Sequence, residues 1–243
     1  MKRSSALLKP ILALLGIFVF HANPVLGEVA FQNLNFENAT VPNLPPDSAN
    51  PSEDATAAFP GWRIFYGSYE QTTVVHNTVP LGSTRVMIFG PNYKYQGIIS
   101  GKYSACLAGA YNYYPDQRNA SIAQTGTVPV WANGIQFMVS PWAHAFTVSL
   151  AGNVLPTVPV SSNANFMVWG ADISAYAGST TELRFTSLYD GTGSPNLTSL
   201  DDIQFMAEAV PEPGTIALCC AGGMMGWWLL GRGRRTGKQQ NVG

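Results

Sequence analysis

A succession of short strand-like runs, separated by turn residues, restricts the fold of this chain more than any other feature. The runs are rich in β-branched and aromatic residues, and some alternate apolar and polar side chains, as 146–150 does. Gly, Pro, Asn and Ser cluster between the runs. The pattern predicts an all-β fold, an antiparallel β-sandwich or jelly roll. The predicted strands cover 29–36, 62–66, 72–76, 85–89, 103–107, 122–128, 135–139, 146–150, 182–188 and 203–206.

The N-terminal residues 1–27 have the three parts of a secretory signal peptide. Lys2, Arg3 and Lys9 supply the positive charge, and 11–20 is an unbroken apolar run. Small or medium side chains then precede a cleavage point before residue 28. The alternative is an uncleaved anchor, but the run is about half the ~20 residues that a membrane-spanning helix needs.

The C-terminus also has three parts in a fixed order. A stiff segment begins at residue 210 and contains the triplet Pro211, Glu212 and Pro213. Uncharged residues fill 215–231, at the short end of what spans a bilayer. A basic cluster comes next, made of Arg232, Arg234 and Arg235. Because basic flanks stay in the cytoplasm, these features predict a single transmembrane helix, an outward domain at 28–209 and a cytoplasmic tail at 236–243.

The segment 210–235 resembles the PEP-CTERM sorting signal, a motif also labelled an ice-binding protein C-terminal domain. The triplet, the short apolar helix and the terminal arginine cluster match in order and position. The resemblance implies that an exosortase-type enzyme processes the chain near the triplet. It further implies an inner-membrane anchored precursor that is passed on to the cell surface or the extracellular matrix.

The charge of the outward domain argues against nucleic acid as a partner. The whole chain has a formal net charge of −1, but residues 28–210 hold six basic against thirteen acidic residues, a balance of −7. Binding to phosphate backbones requires clustered Lys and Arg.

The two ends of the outward domain resemble galactose-binding-like jelly rolls, a group that includes many carbohydrate-binding modules. The residues are Phe31 to Glu37 followed by Gly61-Trp62, and Leu200 to Phe205 at the close. In that group the first and last strands lie together and often share calcium. The resemblance therefore implies calcium ligands at Glu37 and at Asp201 or Asp202, since calcium prefers oxygen ligands. The alternative is that these carboxylates cap strand ends in water.

Catalytic signatures do not stand out in the sequence. Nucleophile-elbow, zinc-protease and phosphate-loop motifs are missing, and a glycosidase pair such as Glu70 with Asp116 or Asp172 would need an unknown fold to bring it together. His76 and His144 are predicted to be ordinary strand or loop histidines. Cys106 is the only cysteine between the two ends and is predicted to face inward on its strand.

Aromatic residues are the remaining candidates for ligand binding. Tyrosine and tryptophan rings stack on sugar rings, although the same side chains can instead fill the core of a sandwich. The tyrosines sit beside Asn, Pro and Gly, which favours exposed loops. The candidate ligand-binding residues are Tyr111, Tyr113, Tyr114, Trp131 and Trp142.

The sequence therefore predicts a non-catalytic exported protein of the cell surface or extracellular matrix, with polysaccharide as its candidate ligand. The alternative is a carbohydrate-active enzyme or a dedicated carbohydrate-binding module of a polysaccharide-processing system. A purely structural role, which needs only the sorting signal and a sturdy fold, also remains open. The proline-rich segment 41–59 is predicted to be a long loop.

Overall fold

The computed structural model describes residues 29–44, 51–79, 82–94, 97–143 and 145–210. In this part of the chain, strands form two sheets and helix is confined to short turns. The strands are β1 (Ser52–Asp54), β2 (Arg63–Tyr66), β3 (Tyr69–Gln71), β4 (Thr73–His76), β5 (Arg85–Phe89), β6 (Ser104–Gly109), β7 (Ala120–Thr127), β8 (Gly134–Val139), β9 (Phe146–Leu150), β10 (Asn153–Val154), β11 (Val158–Ser162), β12 (Met167–Asp172), β13 (Thr180–Ser187) and β14 (Asn196–Met206). The helical turns are α1 (Ala55–Ala58) and two 3₁₀ turns, Pro115–Gln117 and Ser174–Tyr176. The predicted all-β fold is confirmed.

The two sheets share one apolar core. The larger sheet has the order β1-β4-β5-β6-β14-β8-β12-β11, and the smaller has the order β10-β9-β13-β7-β2-β3. Ile135, Phe137 and Val139 alternate along β8 and are all buried in this core. The Phe137 ring meets the Phe185 ring of β13 edge-on at 5.1 Å, which joins the two sheets at their centre.

One pair of strands departs from the predicted antiparallel arrangement. β4 pairs with β5 in parallel, with Val75 opposite Met87, whereas the other paired strands run antiparallel. The link starts at Asn77, which adopts a positive φ of 50°. The Asn77 amide N donates to the Ile88 carbonyl, and its side-chain Oδ1 accepts from the Gly90 N–H at 2.7 Å. These bonds fix the C-terminal end of β4 beside the C-terminal end of β5.

The predicted first strand, 29–36, is wrong. Only Ala30 makes a β-bridge, to Thr127, because Asn33 and Phe36 have left-handed backbones that break the ladder. The expected closeness of this segment to the last strand is nevertheless present. The Leu34 carbonyl accepts a 3.0 Å hydrogen bond from the Ile203 N–H of β14.

The segment 41–59 is not a loop throughout, because β1 and α1 occupy 52–58. Asp54 caps α1 with its carboxylate, which accepts from the Thr56 N–H at 2.8 Å and the Ala57 N–H at 3.2 Å. The cap and the pairing of β1 with β4 hold this part of the segment on the edge of the larger sheet.

Several predictions fall on residues outside the described ranges. These are the signal peptide 1–27, the sorting residues Pro211, Glu212 and Pro213, the helix 215–231, the basic residues Arg232, Arg234 and Arg235, and the tail 236–243. Across the ranges that the structure does describe, no helix has the length and apolar character needed to cross a membrane.

Candidate functional site

Three of the predicted aromatic residues lie together on the connection between β6 and β7. Tyr111, Tyr113 and Tyr114 are all exposed, Tyr113 to 80%. The 3₁₀ turn at Pro115–Gln117 follows them directly, and its proline fixes the backbone at that point. The Tyr113 and Tyr114 rings meet edge-on with centroids 5.3 Å apart. The loop therefore presents aromatic rings to solvent, as the neighbouring Asn and Pro residues predicted.

Arg118 joins this loop to the connection between β13 and β14. Its guanidinium lies 4.9 Å from the centroid of the Tyr111 ring and 5.5 Å from that of the Tyr189 ring. Its Nε also donates to the Asn112 carbonyl at 3.2 Å. The Tyr189 N–H in turn donates to Asn119 Oδ1 at 2.9 Å. Two loops distant in sequence are thus held as one surface.

Tyr69, at the start of β3, extends this surface. It is exposed, and its hydroxyl hydrogen-bonds to the Asp116 carboxylate, which raises the pKa of Tyr69 above its usual value. We call the resulting surface the tyrosine face. It consists of Tyr69, Tyr111, Tyr113, Tyr114 and Tyr189 with Arg118.

Trp142 borders a small cavity on the outer side of the larger sheet. The cavity measures about 190 Å³ and is lined by Trp142, Asn165, Ser140 and Ser199 together with residues 97–99. Its volume is below the roughly 300–1,000 Å³ of typical ligand pockets. The cavity therefore suits a small molecule and not an extended stretch of polymer.

Trp131 is at the opposite end of the sandwich. It precedes β8 whereas Trp142 follows it, so this six-residue strand separates them by about 20 Å at ~3.3 Å per residue. Trp131 borders a hollow formed with Ala30 and residues 127–130. The five predicted aromatic residues therefore do not form one platform. The three tyrosines group together, Trp142 borders the small cavity, and Trp131 lies at the opposite end of the sandwich from Trp142.

Glu37 and Asp201, two predicted calcium ligands, hold opposite sides of the loop that precedes β6. Glu37 Oε1 accepts from the N–H groups of Lys102 at 2.8 Å and Tyr103 at 3.0 Å. Asp201 Oδ2 accepts from the Ser100 N–H at 3.1 Å. A glycine is required at position 101, because its φ is +59° and a Cβ there would collide with the Glu37 carboxylate.

Asp201 is almost completely buried. Burial raises its pKa to about 7, even though hydrogen bonds from Ser104 and from the Ser100 and Asp202 N–H groups favour the ionised form. Asp202, with a positive φ of 45°, turns its carboxylate toward the Gln204 side chain instead.

These carboxylates do not form a calcium cage in the arrangement seen here. Glu37 Oε1 and both oxygens of Asp201 face N–H or O–H donors, which occupy the positions that a cation would need. Within the described ranges, no group of three or more His, Cys, Asp or Glu side chains converges to hold a metal ion. The calcium site stays a prediction, and the proposed function does not depend on it.

The remaining candidate groups for catalysis have structural partners. Glu70 Oε1 accepts a 2.9 Å hydrogen bond from Arg63, and Asp172 accepts from the N–H and hydroxyl of Ser174. The buried His76 ring lies 3.4 Å from Glu53, and desolvation lowers the pKa of His76. His144 lies outside the described residues.

Tyr69, Tyr189 and Arg118 were not predicted from the sequence. Each joins the tyrosine face through a contact between segments far apart in the chain, such as Arg118 with Tyr189. No local pattern marks these contacts.

The comparisons with known proteins leave the family open. No protein-family model matches the chain. No curated protein matches it either.

Proposed function

We propose that this chain is an exported, non-catalytic protein of the cell envelope or extracellular matrix that binds polysaccharide through the tyrosine face. The observation that carries the proposal is the cluster of exposed tyrosines held in place by Arg118. We further propose that its two-sheet domain is a jelly roll of the kind found in carbohydrate-binding modules. The joining of the first and last segments at Leu34 and Ile203 supports this assignment.

The chemistry of the tyrosine face suits sugar rings. Apolar faces of pyranose rings stack on aromatic side chains, and the tyrosine hydroxyls supply hydrogen bonds to sugar hydroxyls. Tyrosine has few rotatable bonds, so it loses little conformational entropy on binding. Tyr111 and Tyr189 are further restrained by the guanidinium between them. Preorganisation of this kind lowers the cost of binding a flexible polymer.

Val210, directly before the proposed sorting triplet, packs on the larger sheet. Val210 is buried, and a Cβ on Gly134 or Gly170 would meet its side chain at 3.2 Å or 2.9 Å, respectively. Both glycines belong to strands of the larger sheet. The folded domain therefore includes Val210, the residue before the proposed sorting triplet.

Binding is tested with the full-length protein in detergent against a panel of immobilised neutral and acidic polysaccharides. We expect the wild type to retain at least one polysaccharide class and the triple variant Tyr111→Ala, Tyr113→Ala, Tyr114→Ala to lose it. Trp131→Ala is the matched control, since it removes an exposed aromatic ring from the opposite end of the sandwich. Equal retention of wild type and triple variant would contradict the proposal.

Sorting is tested separately in the producing cells. Replacement of Pro211, Glu212 and Pro213 by alanine is expected to leave unprocessed precursor in the inner membrane. Normal processing of this variant would contradict the sorting proposal without affecting the binding proposal.

A further inference from the structure

A further cleft, distinct from the hollows beside Trp142 and Trp131, lies where the chain passes from one sheet to the other between β3 and β4. Its volume is about 470 Å³, within the roughly 300–1,000 Å³ of typical ligand pockets. β3 belongs to the edge of the smaller sheet and β4 to the larger, so the cleft opens between two sheet edges. The side chains that line it include Ser52, Tyr66, Gln71, Thr73 and Arg85. Hydroxyl, amide and guanidinium groups therefore form much of its wall.

Arg85 brings a positive charge to this cleft without a carboxylate partner among the described residues. Its Nη1 donates to the Thr84 carbonyl at 2.8 Å, and its guanidinium also hydrogen-bonds to the Tyr66 side chain, 5.9 Å from the centroid of that ring. By contrast, Arg63 pairs with Glu70 and Arg184 pairs with Glu182.

The acidic side chains nearest in the chain to the cleft wall are already engaged. Glu53 lies beside His76, Asp54 caps α1, and Glu70 holds Arg63. The charge of Arg85 is therefore available to a ligand, in a domain whose balance of −7 would otherwise repel anions.

The groups in the cleft favour a sugar that carries one carboxylate. A guanidinium matches a planar carboxylate with two parallel hydrogen bonds. Ser52, Gln71 and Thr73 can exchange hydrogen bonds with sugar hydroxyls. A single cation balances a singly charged carboxylate, whereas a doubly charged phosphate ester would keep excess negative charge beside an acidic domain.

The cleft adjoins the tyrosine face. The hydroxyl of Thr84, the neighbour of Arg85, lies 3.1 Å from the carbonyl oxygens of both Ala110 and Arg118 and shares its one hydrogen between them. β2 and β3 also link the two, because Tyr66 of the cleft pairs with Tyr69 of the tyrosine face. One polymer chain can therefore reach both places.

We propose that Arg85 binds the carboxylate of a uronic acid residue, and that the protein selects acidic over neutral polysaccharides. This inference rests on the proposed function, since it places the charged unit of the same polymer that the tyrosine face holds. The carboxylate lies against the guanidinium, and the sugar ring lies along the wall that carries Gln71 and Thr73.

The test is calorimetric titration of the full-length protein in detergent with D-glucuronate, D-glucose and acetate. We expect glucuronate to bind about tenfold or more tightly than glucose, because a charge-assisted hydrogen bond is stronger than a neutral one. Acetate tests the carboxylate without the sugar ring and is expected to bind more weakly than glucuronate. Arg85→Gln should reduce glucuronate binding to the level of glucose, and Arg85→Lys should restore part of it.

Arg63→Gln is the matched control, because it removes an exposed cation from the neighbouring strand β2 and should leave the preference for glucuronate intact. Thr73→Val provides a second test should Arg85→Gln fail to fold, since Thr73 is an exposed residue of the cleft wall. It should weaken glucuronate binding severalfold without changing the melting temperature. Equal affinity of the wild type for glucuronate and glucose would overturn the inference, as would an unchanged preference in Arg85→Gln or an unchanged glucuronate affinity in Thr73→Val.

Failure of this inference is distinguishable from failure of the proposed function. If polysaccharide binding depends on the three tyrosines but shows no uronate preference, only the role of Arg85 is wrong. If glucuronate binding depends on Arg85 but polysaccharide retention does not change in the tyrosine variant, only the proposed role of the tyrosine face is wrong.

Discussion

The Ser104 hydroxyl donates a 2.6 Å hydrogen bond to Oδ2 of Asp201, and so joins strands β6 and β14 through a carboxylate that is almost completely buried. The same oxygen accepts from the Ser100 N–H of the preceding loop. Because burial raises the pKa of Asp201 to about 7, the protonation of this one group links pH to the stability of the loop and the sheet.

The contribution of Asp201 to the free energy of unfolding should fall as pH rises from about 4 to about 7. The folded Asp201 has a pKa near 7 against an ordinary value of 3.8, so between these values the native state binds a proton that the unfolded chain does not. The stabilisation is complete below 3.8 and lost above 7, and the difference is on the order of a few kcal/mol at about 1.4 kcal/mol per pKa unit.

Asp201→Asn isolates this contribution, since an amide has no such titration. We expect denaturant titrations at pH 4.5 and pH 7.5 to show a smaller pH dependence in the variant than in the wild type. The difference between the two proteins also removes the contribution of His76, whose lowered pKa acts in the opposite direction. A variant with the same pH dependence as the wild type would disprove the role of Asp201.

The calcium hypothesis predicts the reverse behaviour. An ion held by Glu37 and Asp201 would keep Asp201 ionised, raise the melting temperature with calcium concentration and remove the loss of stability near pH 7. Glu37→Gln and Asp201→Asn should each abolish the calcium response. A melting temperature that neither calcium nor chelator changes would mean that these carboxylates only support the loop at 100–104.

Two tryptophans should differ sharply in their effect on stability. Trp62 is only 4% exposed, packs against Phe36 and donates its Nε1 hydrogen to the Asn33 carbonyl at 3.1 Å. Trp62→Ala should therefore cost about 3–5 kcal/mol. Trp131→Ala, at a residue that is 54% exposed, should change the free energy of unfolding by less than about 0.5 kcal/mol. Chemical denaturation of both variants measures the contrast, and similar losses would contradict the described packing.

The thiol of Cys106 should be unreactive while the protein is folded. The side chain is buried, and burial raises its pKa to about 12, so almost no thiolate exists near neutral pH. A chromogenic disulfide reagent at pH 8 should label Cys106 only after addition of denaturant, as followed by peptide mass spectrometry. Rapid labelling of the native protein would contradict the burial of Cys106.

Local pattern predicted much of the sheet structure. The strands at 85–89 and 146–150 were predicted with the bounds that the structure shows, because their β-branched and aromatic runs end at clear turn residues. The segment 29–36 has similar composition, yet the left-handed backbones of Asn33 and Phe36 make it a turn. Propensity does not reveal a conformation that is fixed by long-range contacts, such as those of Asn33 with Pro60 and Trp62.

Cys106 shows a second limit of sequence pattern. Its strand was predicted, but the prediction that Cys106 faces inward is wrong, because the residue is buried in a small cluster on the outer side of the larger sheet, together with Met87 and Phe89. The Phe89 and Tyr93 rings stack with their centroids 4.1 Å apart, and this pair covers the cluster. Every residue of β6 is buried because both faces of the strand are covered, so no alternating pattern distinguishes them.

The candidate site was predictable only in part. The tyrosine run at 111–114 was found because turn residues surround it. Arg85 looks like an ordinary strand arginine in sequence, and its importance depends on a cleft between two sheet edges. The strand order places Arg85 in this cleft, and the pattern of a single sequence does not reveal the strand order.

The most direct test of the central claim compares Tyr113→Phe with Tyr113→Ala in polysaccharide binding by the full-length protein. Tyr113 is the most exposed ring of the tyrosine face, so neither change should affect folding. If stacking on the ring binds the polymer, Tyr113→Phe should keep most of the affinity, and Tyr113→Ala should lose about tenfold or more. Equal affinities of wild type, Tyr113→Phe and Tyr113→Ala would contradict binding at the tyrosine face.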